Sequence, residues 1–174
     1  MPKLLLINPN TSRATTEMMA EVIRSHMAGG VTVQGVTARS GVPLISTPAE
    51  LAASAAQVLA LCDAAGPGWA GIVVGCFGDP GVAALRARTR IPVVGICEAA
   101  LTEAAEAGRR FGIATTTPDL ADAIAAHAAQ LGLGAQYTGL RATAGDPRAW
   151  SAQPALLEQA LARAAADCVA LDGA

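Results

Sequence analysis

The cysteine of the segment CFGDPG, residues 76–81, is the residue best placed for chemistry in this sequence. An apolar stretch that predicts a buried strand, residues 71–75, precedes Cys76, and a short predicted helix, residues 82–88, follows the segment. Asp79 suits the N-cap of that helix, and Pro80 suits its first position. Ligands of parallel sheets bind where strands end, and a helix N-terminus favours a thiolate. The pattern therefore predicts that Cys76 acts as a base or a nucleophile at near-neutral pH.

The other cysteines and the two histidines carry weaker signals. Cys62 and Cys168 lie on apolar stripes with helical spacing, which favours buried structural thiols. Cys97 is predicted to end a strand, and a structural role is favoured there too. Neither His26 nor His127 has metal-type spacing to a cysteine, and the sequence contains no CxxC pair. We therefore expect no metal site.

Composition and charge argue against several classes of function. The 174 residues carry a net charge of −2 and no basic run, which argues against nucleic acid or an anionic membrane as the partner. The N-terminal apolar run is too short for a signal peptide, and no run is long enough to span a membrane, so a cytoplasmic location is expected. The sequence contains neither a GxGxxG nor a Walker A pattern, and we expect no cofactor.

Short apolar runs alternate with alanine-rich helical segments along the chain. Six strands are predicted, at residues 3–9, 31–36, 70–76, 91–97, 110–115 and 136–140. Helices are predicted near residues 13–27, 48–65, 82–88, 98–107, 117–132 and 154–171, with Gly173 ending the last one. This alternation predicts a parallel sheet covered by helices, with the carboxyl ends of the strands along one edge.

Four polar turns are expected along that edge, and we call them the polar rim. They are residues 8–12, 46–47, 76–81 and 115–117. Each turn offers backbone N–H groups or hydroxyls at a helix start, which suits a carboxylate or an enolate-like oxygen. The residues that we expect to contact the substrate are Asn8, Pro9, Asn10, Ser46, Thr47, Phe77, Gly78, Asp79, Thr115 and Thr116.

Five motifs occur in a fixed order along the sequence: INPNTS at 7–12, PLIST at 43–47, CFGDPG at 76–81, GICEAA at 95–100 and FGIATT at 111–116. Together they resemble the aspartate/glutamate racemase superfamily, and within it the hydantoin and allantoin racemases. The resemblance implies an α/β protein of two similar lobes, residues 1–97 and 98–174, with parallel sheets flanked by helices and the active site in the cleft between the lobes. We expect a small-molecule substrate and a homo-oligomer.

The resemblance also implies cofactor-independent racemisation by two cysteines, one on each face of the substrate carbon. Cys76 matches the first cysteine of the family. The second lies in a glycine-rich turn after a late strand, past a DGA-like segment, and residues 172–174 are such a segment. Either the second cysteine comes from beyond Ala174, or the chain is a natural single-cysteine relative of the family. Cys168 does not match it, and Cys97 stands where relatives commonly carry a small residue.

Three hypotheses about function follow from these observations. The leading one is a racemase that acts on a 5-substituted hydantoin, allantoin or a related amino-acid-type substrate by cysteine-mediated proton transfer. The second is a decarboxylase or a maleate-type cis-trans isomerase of the same superfamily, which would need one cysteine. The third is a non-catalytic α/β binding module. A second cysteine after the next strand would favour the first hypothesis over the other two.

Overall fold

The computed structural model describes residues 1–27 and 29–174 and shows an α/β fold with parallel strands, as predicted. Two compact units divide the chain. Unit 1 comprises Met1–Ile45 and Ala49–Ala99, and unit 2 comprises Ser46–Pro48 and Ala100–Ala174. That residues 1–97 and 98–174 form two similar lobes stays a prediction. Among the described residues, no helix combines the length and the apolar character that crossing a bilayer would require.

Unit 1 contains a four-stranded parallel sheet in the order β2-β1-β3-β4. The strands are β1 (Lys3–Asn8), β2 (Thr32–Thr37), β3 (Gly71–Val74) and β4 (Val93–Gly95). The central strand β1 is a continuous apolar run, because helices cover parallel sheets on both faces. Its residues Leu5, Leu6 and Ile7 are at most 1% exposed, and they form the centre of the core of unit 1.

Four helices accompany this sheet: α1 (Arg13–His26), α2 (Pro48–Ala65), α3 (Val82–Arg88) and α4 (Ile96–Ala104), whose last residues belong to unit 2. Ser12 caps α1, because its hydroxyl accepts a hydrogen bond of 3.2 Å from the Thr15 N–H. Helices α2 and α3 have the predicted bounds. Cys62 of α2 packs against the core beside Val58, in agreement with its predicted structural role.

Two predictions about local structure in unit 1 are wrong. Cys97 does not end a strand; β4 stops at Gly95, and Cys97 lies fully buried in the first turn of α4. Asp79 is not the N-cap of α3 and Pro80 is not its first residue, because Gly81 holds the N-cap position in the left-handed region with a φ of 77° and the helix begins at Val82. Both differences have one physical cause, which is that the Asp79 carboxylate binds the first turn of α4 instead.

Unit 2 contains the parallel pair β5 (Phe111–Thr115) and β6 (Tyr137–Ala142). Its helices are α5 (Ala121–Gln130), which follows the short 3-10 turn Pro118–Leu120, and α6 (Pro154–Asp172). Helix α6 packs against both strands and ends at Gly173 in the left-handed conformation, as predicted. Its approach to β5 is close, since a Cβ on Gly112 would lie 2.7 Å from the Cβ of Cys168. Cys168 is thus a buried structural thiol.

Candidate active site

Two of the four turns of the polar rim begin side by side in unit 1. Strands β1 and β3 are neighbours in the sheet, and the Gly75 N–H donates to the Ile7 carbonyl at 2.8 Å. The segments 8–12 and 76–81 therefore leave adjacent strand ends. The other two turns, which contain Ser46, Thr47, Thr115 and Thr116, belong to unit 2.

Cys76 lies in a tight turn between β3 and α3. The Asp79 N–H donates to the Cys76 carbonyl at 3.0 Å, and the Val82 N–H donates to the Asp79 carbonyl at 3.3 Å. Gly78 has a φ of 113°, which glycine adopts without a steric penalty. Asp79 has a φ of 52° and is, with Ala107, one of two non-glycine residues with positive φ in the described part of the chain. The turn therefore holds backbone strain at Asp79.

The Asp79 carboxylate is buried and binds the beginning of α4. Its two oxygens accept hydrogen bonds from the N–H groups of Cys97, at 2.9 Å, and Glu98, at 2.6 Å. Asp79 is 7% exposed, so these bonds replace most of its contact with water. Whether Asp79 also contacts a substrate, as the sequence predicts, stays a prediction.

An arginine of α3, Arg86, binds β4 and the beginning of α4. The Arg86 guanidinium donates to the Glu98 carboxylate at 2.9 Å and to the Val93 carbonyl at 2.7 Å and 3.1 Å. Glu98 in turn accepts from the Gly95 N–H at 3.3 Å. The helix that follows the Cys76 turn is thereby fixed to β4 and α4 by charge-assisted bonds.

The Cys76 thiol does not have the lowered pKa that the sequence predicts. Burial raises the pKa of Cys76 to about 12, and the negative charge of Asp79 and the neighbouring Cys97 add to the effect. Burial and Asp79 also raise the pKa of Cys97 to about 12, against an opposing contribution from the Gly78 N–H. The prediction fails because burial and a neighbouring carboxylate outweigh the helix N-terminus. At neutral pH both groups are therefore protonated thiols.

The first turn of the polar rim is built around a buried amide. Asn8 is fully buried, and its Nδ2 lies within hydrogen-bond distance of Asn10 Oδ1, the Ser12 carbonyl and Thr16 Oγ1, at 2.9–3.0 Å. The Asn10 side chain also accepts from the Ser12 N–H at 2.9 Å. Asn8 and Asn10 thus order the turn around Pro9 before α1. Substrate contacts by these three residues and by Phe77 and Gly78 stay predictions.

In unit 2, hydroxyl groups gather where β5 and β6 end. The Thr115 and Thr117 hydroxyls are 3.0 Å apart, and the Thr117 N–H donates to Thr115 Oγ1 at 3.2 Å. Thr116 is half-buried. In the segment 46–48, Ser46 is buried and Thr47 is half-buried. Contact of these residues with a substrate stays a prediction.

Sequence reasoning missed Thr143, which follows β6. Its N–H donates to the Thr115 carbonyl at 2.8 Å, and its side chain is 7% exposed. Within the described part of the chain, the Thr143 hydroxyl finds no hydrogen-bond partner. The predicted strand ends at Leu140, three residues before Thr143. The available signal was a hydroxyl residue close to the end of a predicted parallel strand.

Parallel sheets, polar strand ends and a half-buried thiol in a strand-to-helix turn define a class of α/β protein suited to proton transfer by cysteine. A model of the Asp/Glu/hydantoin racemase family matches residues 4–174, and the chain belongs to this family. The family resemblance inferred from the sequence motifs is thereby confirmed.

Individual relatives support the same assignment. The chain is 31% identical to the hydantoin racemase of Paenarthrobacter aurescens over 119 residues, which are 67% of this chain and 50% of that protein. It is 30% identical to the hydantoin racemase of Rhizobium meliloti over 122 residues, which are 65% of this chain and 47% of that protein. The chain thus spans about half the length of the curated relatives that it matches.

Solved structures of allantoin racemases have the same fold. The allantoin racemase of Klebsiella pneumoniae matches 99% of this chain and 71% of its own, with a TM-score of 0.92 and 32% sequence identity. The allantoin racemase of Pseudomonas fluorescens has the same TM-score at 24% identity and supports the fold alone.

Proposed function

We propose that this chain is a cofactor-independent racemase of 5-substituted hydantoins, allantoin or related amino-acid-type compounds, with Cys76 as the proton-transfer group on one face of the substrate. The observation that supports this proposal is the half-buried Cys76 thiol in the turn that follows β3, within a chain of the Asp/Glu/hydantoin racemase family. The names of the hydantoin and allantoin racemases supply the substrate class.

The reaction requires removal of a proton from the carbon beside an amide-like carbonyl and its return to the opposite face. Removal of the proton leaves negative charge on the carbonyl oxygen, which N–H groups and hydroxyls at strand ends can stabilise. Backbone N–H groups of residues 77–81 and the hydroxyls of Thr115 and Thr116 are the groups proposed for this task. No metal or organic cofactor is part of the proposal.

The raised pKa of Cys76 determines its protonation state before the reaction begins. Because burial and the negative charge of Asp79 raise the pKa of Cys76, the thiol is the predominant form of Cys76 at pH 7. In one direction the group on the opposite face removes the α-proton, and the Cys76 thiol donates its proton to the resulting carbanion, which leaves Cys76 as the thiolate. In the reverse direction its thiolate removes the proton, and a thiolate of high pKa is a strong base towards a weakly acidic C–H group.

A second group has to serve the opposite face. Cys168 is unsuited, because it is buried against the Ile113 carbonyl, at 3.7 Å from its sulfur. Cys97 is 0% exposed and lies in the first turn of α4. We therefore propose that neither Cys97 nor Cys168 serves the opposite face, and that a second cysteine does, as in the two-cysteine mechanism that the family resemblance implies. We also propose that the enzyme is a homo-oligomer of the cytoplasm. The cytoplasmic location agrees with its four free cysteines, because free thiols persist in a reducing compartment.

The test compares Cys76→Ser with Cys62→Ser, which replaces another partly buried thiol. Exchange of the α-proton in deuterium oxide, followed by NMR, and inversion, followed by polarimetry, are measured with hydantoins and allantoin. We expect Cys76→Ser to lower the exchange rate by about 10²–10⁴-fold and Cys62→Ser to leave it unchanged. Equal rates in the wild type and Cys76→Ser, or no exchange and no inversion of any of these ureides, would contradict the proposal.

A further inference from the structure

Helix α4 begins without a capping side chain of its own. Strand β4 ends at Gly95, and the helix starts at the next residue, Ile96. The first N–H groups of a helix have no partner within the helix, and a side chain at the preceding residue normally accepts from one of them. Gly95 has no side chain, so the acceptor for the N–H groups of Cys97 and Glu98 has to come from elsewhere.

The acceptor is the Asp79 carboxylate, which comes from the turn that carries Cys76. It binds both N–H groups and occupies the space where a side chain on Gly95 would begin. A Cβ built on Gly95 would overlap the carboxylate of Asp79. Glu98 completes the arrangement by accepting from the Gly95 N–H at 3.3 Å. The result is a capping box whose first side chain is supplied by a separate segment of the chain.

We propose that Asp79 is a positioning residue for Cys76: its carboxylate caps α4 from the neighbouring turn and thereby fixes the backbone that carries the thiol. Two short bonds to a buried carboxylate are strong enough to hold Asp79 at a positive φ, which a turn without this anchor would not favour. The catalytic consequence of this inference rests on the proposed function.

The charge of Asp79 also acts on the thiol that the turn carries. The titratable groups that raise the pKa of Cys76, besides its burial, are Asp79 and Cys97. A fixed negative charge disfavours the thiolate, so Asp79 adds to the effect of burial in raising the pKa of Cys76. The side chain that anchors the turn to α4 thus also acts on the protonation state of the thiol.

The matched pair Asp79→Asn and Glu98→Gln separates this inference from a general weakening of α4. Both variants remove one negative charge from a carboxylate at the start of the helix. Asparagine has the size of aspartate and tolerates a positive φ, but its amide oxygen can bind only one of the two N–H groups. Glutamine at position 98 keeps an amide oxygen that can accept from the Gly95 N–H or from the Arg86 guanidinium, and Glu98 is not among the groups that raise the pKa of Cys76.

The measurement is the rate of alkylation of Cys76 by iodoacetamide from pH 7 to 11, mapped by mass spectrometry with Cys62 as the internal reference. We expect Asp79→Asn to be alkylated about tenfold faster than the wild type at pH 9, which corresponds to one pKa unit, and its profile to move to lower pH. Glu98→Gln should stay within about twofold of the wild type. Equal rates in Asp79→Asn and the wild type, or equal rates in the two variants, would overturn the inference.

A second variant breaks the contact between the Asp79 carboxylate and α4 without changing Asp79 itself. In Gly95→Ala the new methyl group displaces the Asp79 carboxylate from α4. If the anchor positions Cys76, alkylation of Cys76 becomes faster; a lower melting temperature with an unchanged Cys76 rate would show that Asp79 only caps the helix.

Alkylation needs no substrate, so absence of ureide turnover in the wild type would count against the proposed function alone. Where turnover is measured, Asp79→Asn should lower kcat for exchange about tenfold with little change in KM.

Discussion

The two units of the chain organise the carboxyl ends of their strands in different ways. In unit 1 the last four residues of the central strand β1 are buried, and the adjacent turn holds a buried carboxylate with two N–H partners. In unit 2 most residues of β5 and β6 are half-buried, and the Thr143 hydroxyl at the end of β6 has no partner within the described residues. A well-packed sheet can hold a strained and charged turn in place, whereas the sheet of unit 2 depends on the packing of α6.

The largest difference between the units should appear when a core side chain is shortened. Ile7 on β1 is 0% exposed, so Ile7→Ala leaves a cavity and should lower the free energy of unfolding by about 3 kcal/mol. Ile113 on β5 is half-buried, and Ile113→Ala should cost about 1 kcal/mol. Urea unfolding followed by circular dichroism measures both. An equal decrease in the free energy of unfolding in the two variants would contradict the proposed difference in packing between the two sheets.

The elements themselves could be predicted well from local sequence signals. The bounds of α2 agree with the prediction because Pro48 and the helical stripe that follows it mark them within the segment itself. The range of α3 also agrees, although the cap expected at Asp79 is wrong. Gly173 ended α6 as expected, because only a residue that tolerates the left-handed conformation fits there. The six strands were found because short apolar runs between helices are a strong signal for a parallel sheet.

The features that the sequence could not supply depend on contacts between distant segments. Cys97 was assigned to a strand because the residue that starts its helix, Asp79, lies in another turn. The pKa of Cys76 was expected to fall, since burial and the charge of Asp79 are not visible in the local pattern. Thr143 was missed because it lies after the apolar residues of β6, and its backbone hydrogen bond to Thr115 is a contact between distant segments. In each case tertiary contacts outweigh the local preference.

A smaller effect, of opposite sign, is expected from the unpartnered hydroxyl of unit 2. Thr143→Val replaces a buried hydroxyl with a methyl group of similar shape and should raise the free energy of unfolding by about 1 kcal/mol. Thr115→Val serves as the matched control, since the Thr115 hydroxyl has a partner in Thr117 and its loss should be destabilising. Thermal and urea unfolding measure the two changes. Destabilisation by Thr143→Val equal to that by Thr115→Val would show that the Thr143 hydroxyl is hydrogen-bonded in solution.

The smallest effect should come from a carboxylate that, unlike Asp79, lies near the surface. The guanidinium of Arg141 binds the Asp172 carboxylate at 2.6 Å and 2.8 Å and lowers the pKa of Asp172. Because the pKa is lower in the folded state, this pair stabilises the fold above the ordinary pKa of a carboxyl group, and the stabilisation is lost as the pH falls through the lowered pKa. Asp172 also lies at the C-terminal end of α6, where the helix dipole disfavours negative charge and offsets part of the gain.

Asp172→Asn should therefore lower the melting temperature at pH 7 by about 2 °C or less, with a still smaller difference in concentrated salt. The difference from the wild type should vanish in acid, where the wild-type carboxylate is protonated as well. Asp167→Asn on the same helix is the control for the net charge, because Asp167 is exposed and the Arg141 guanidinium binds Asp172. If the melting temperature of Asp172→Asn stays below that of the wild type at low pH, Asp172 stabilises the fold through its shape and not through its charge. Asp172 and the buried Asp79 of unit 1 would then differ in their packing and not in the effect of their charge.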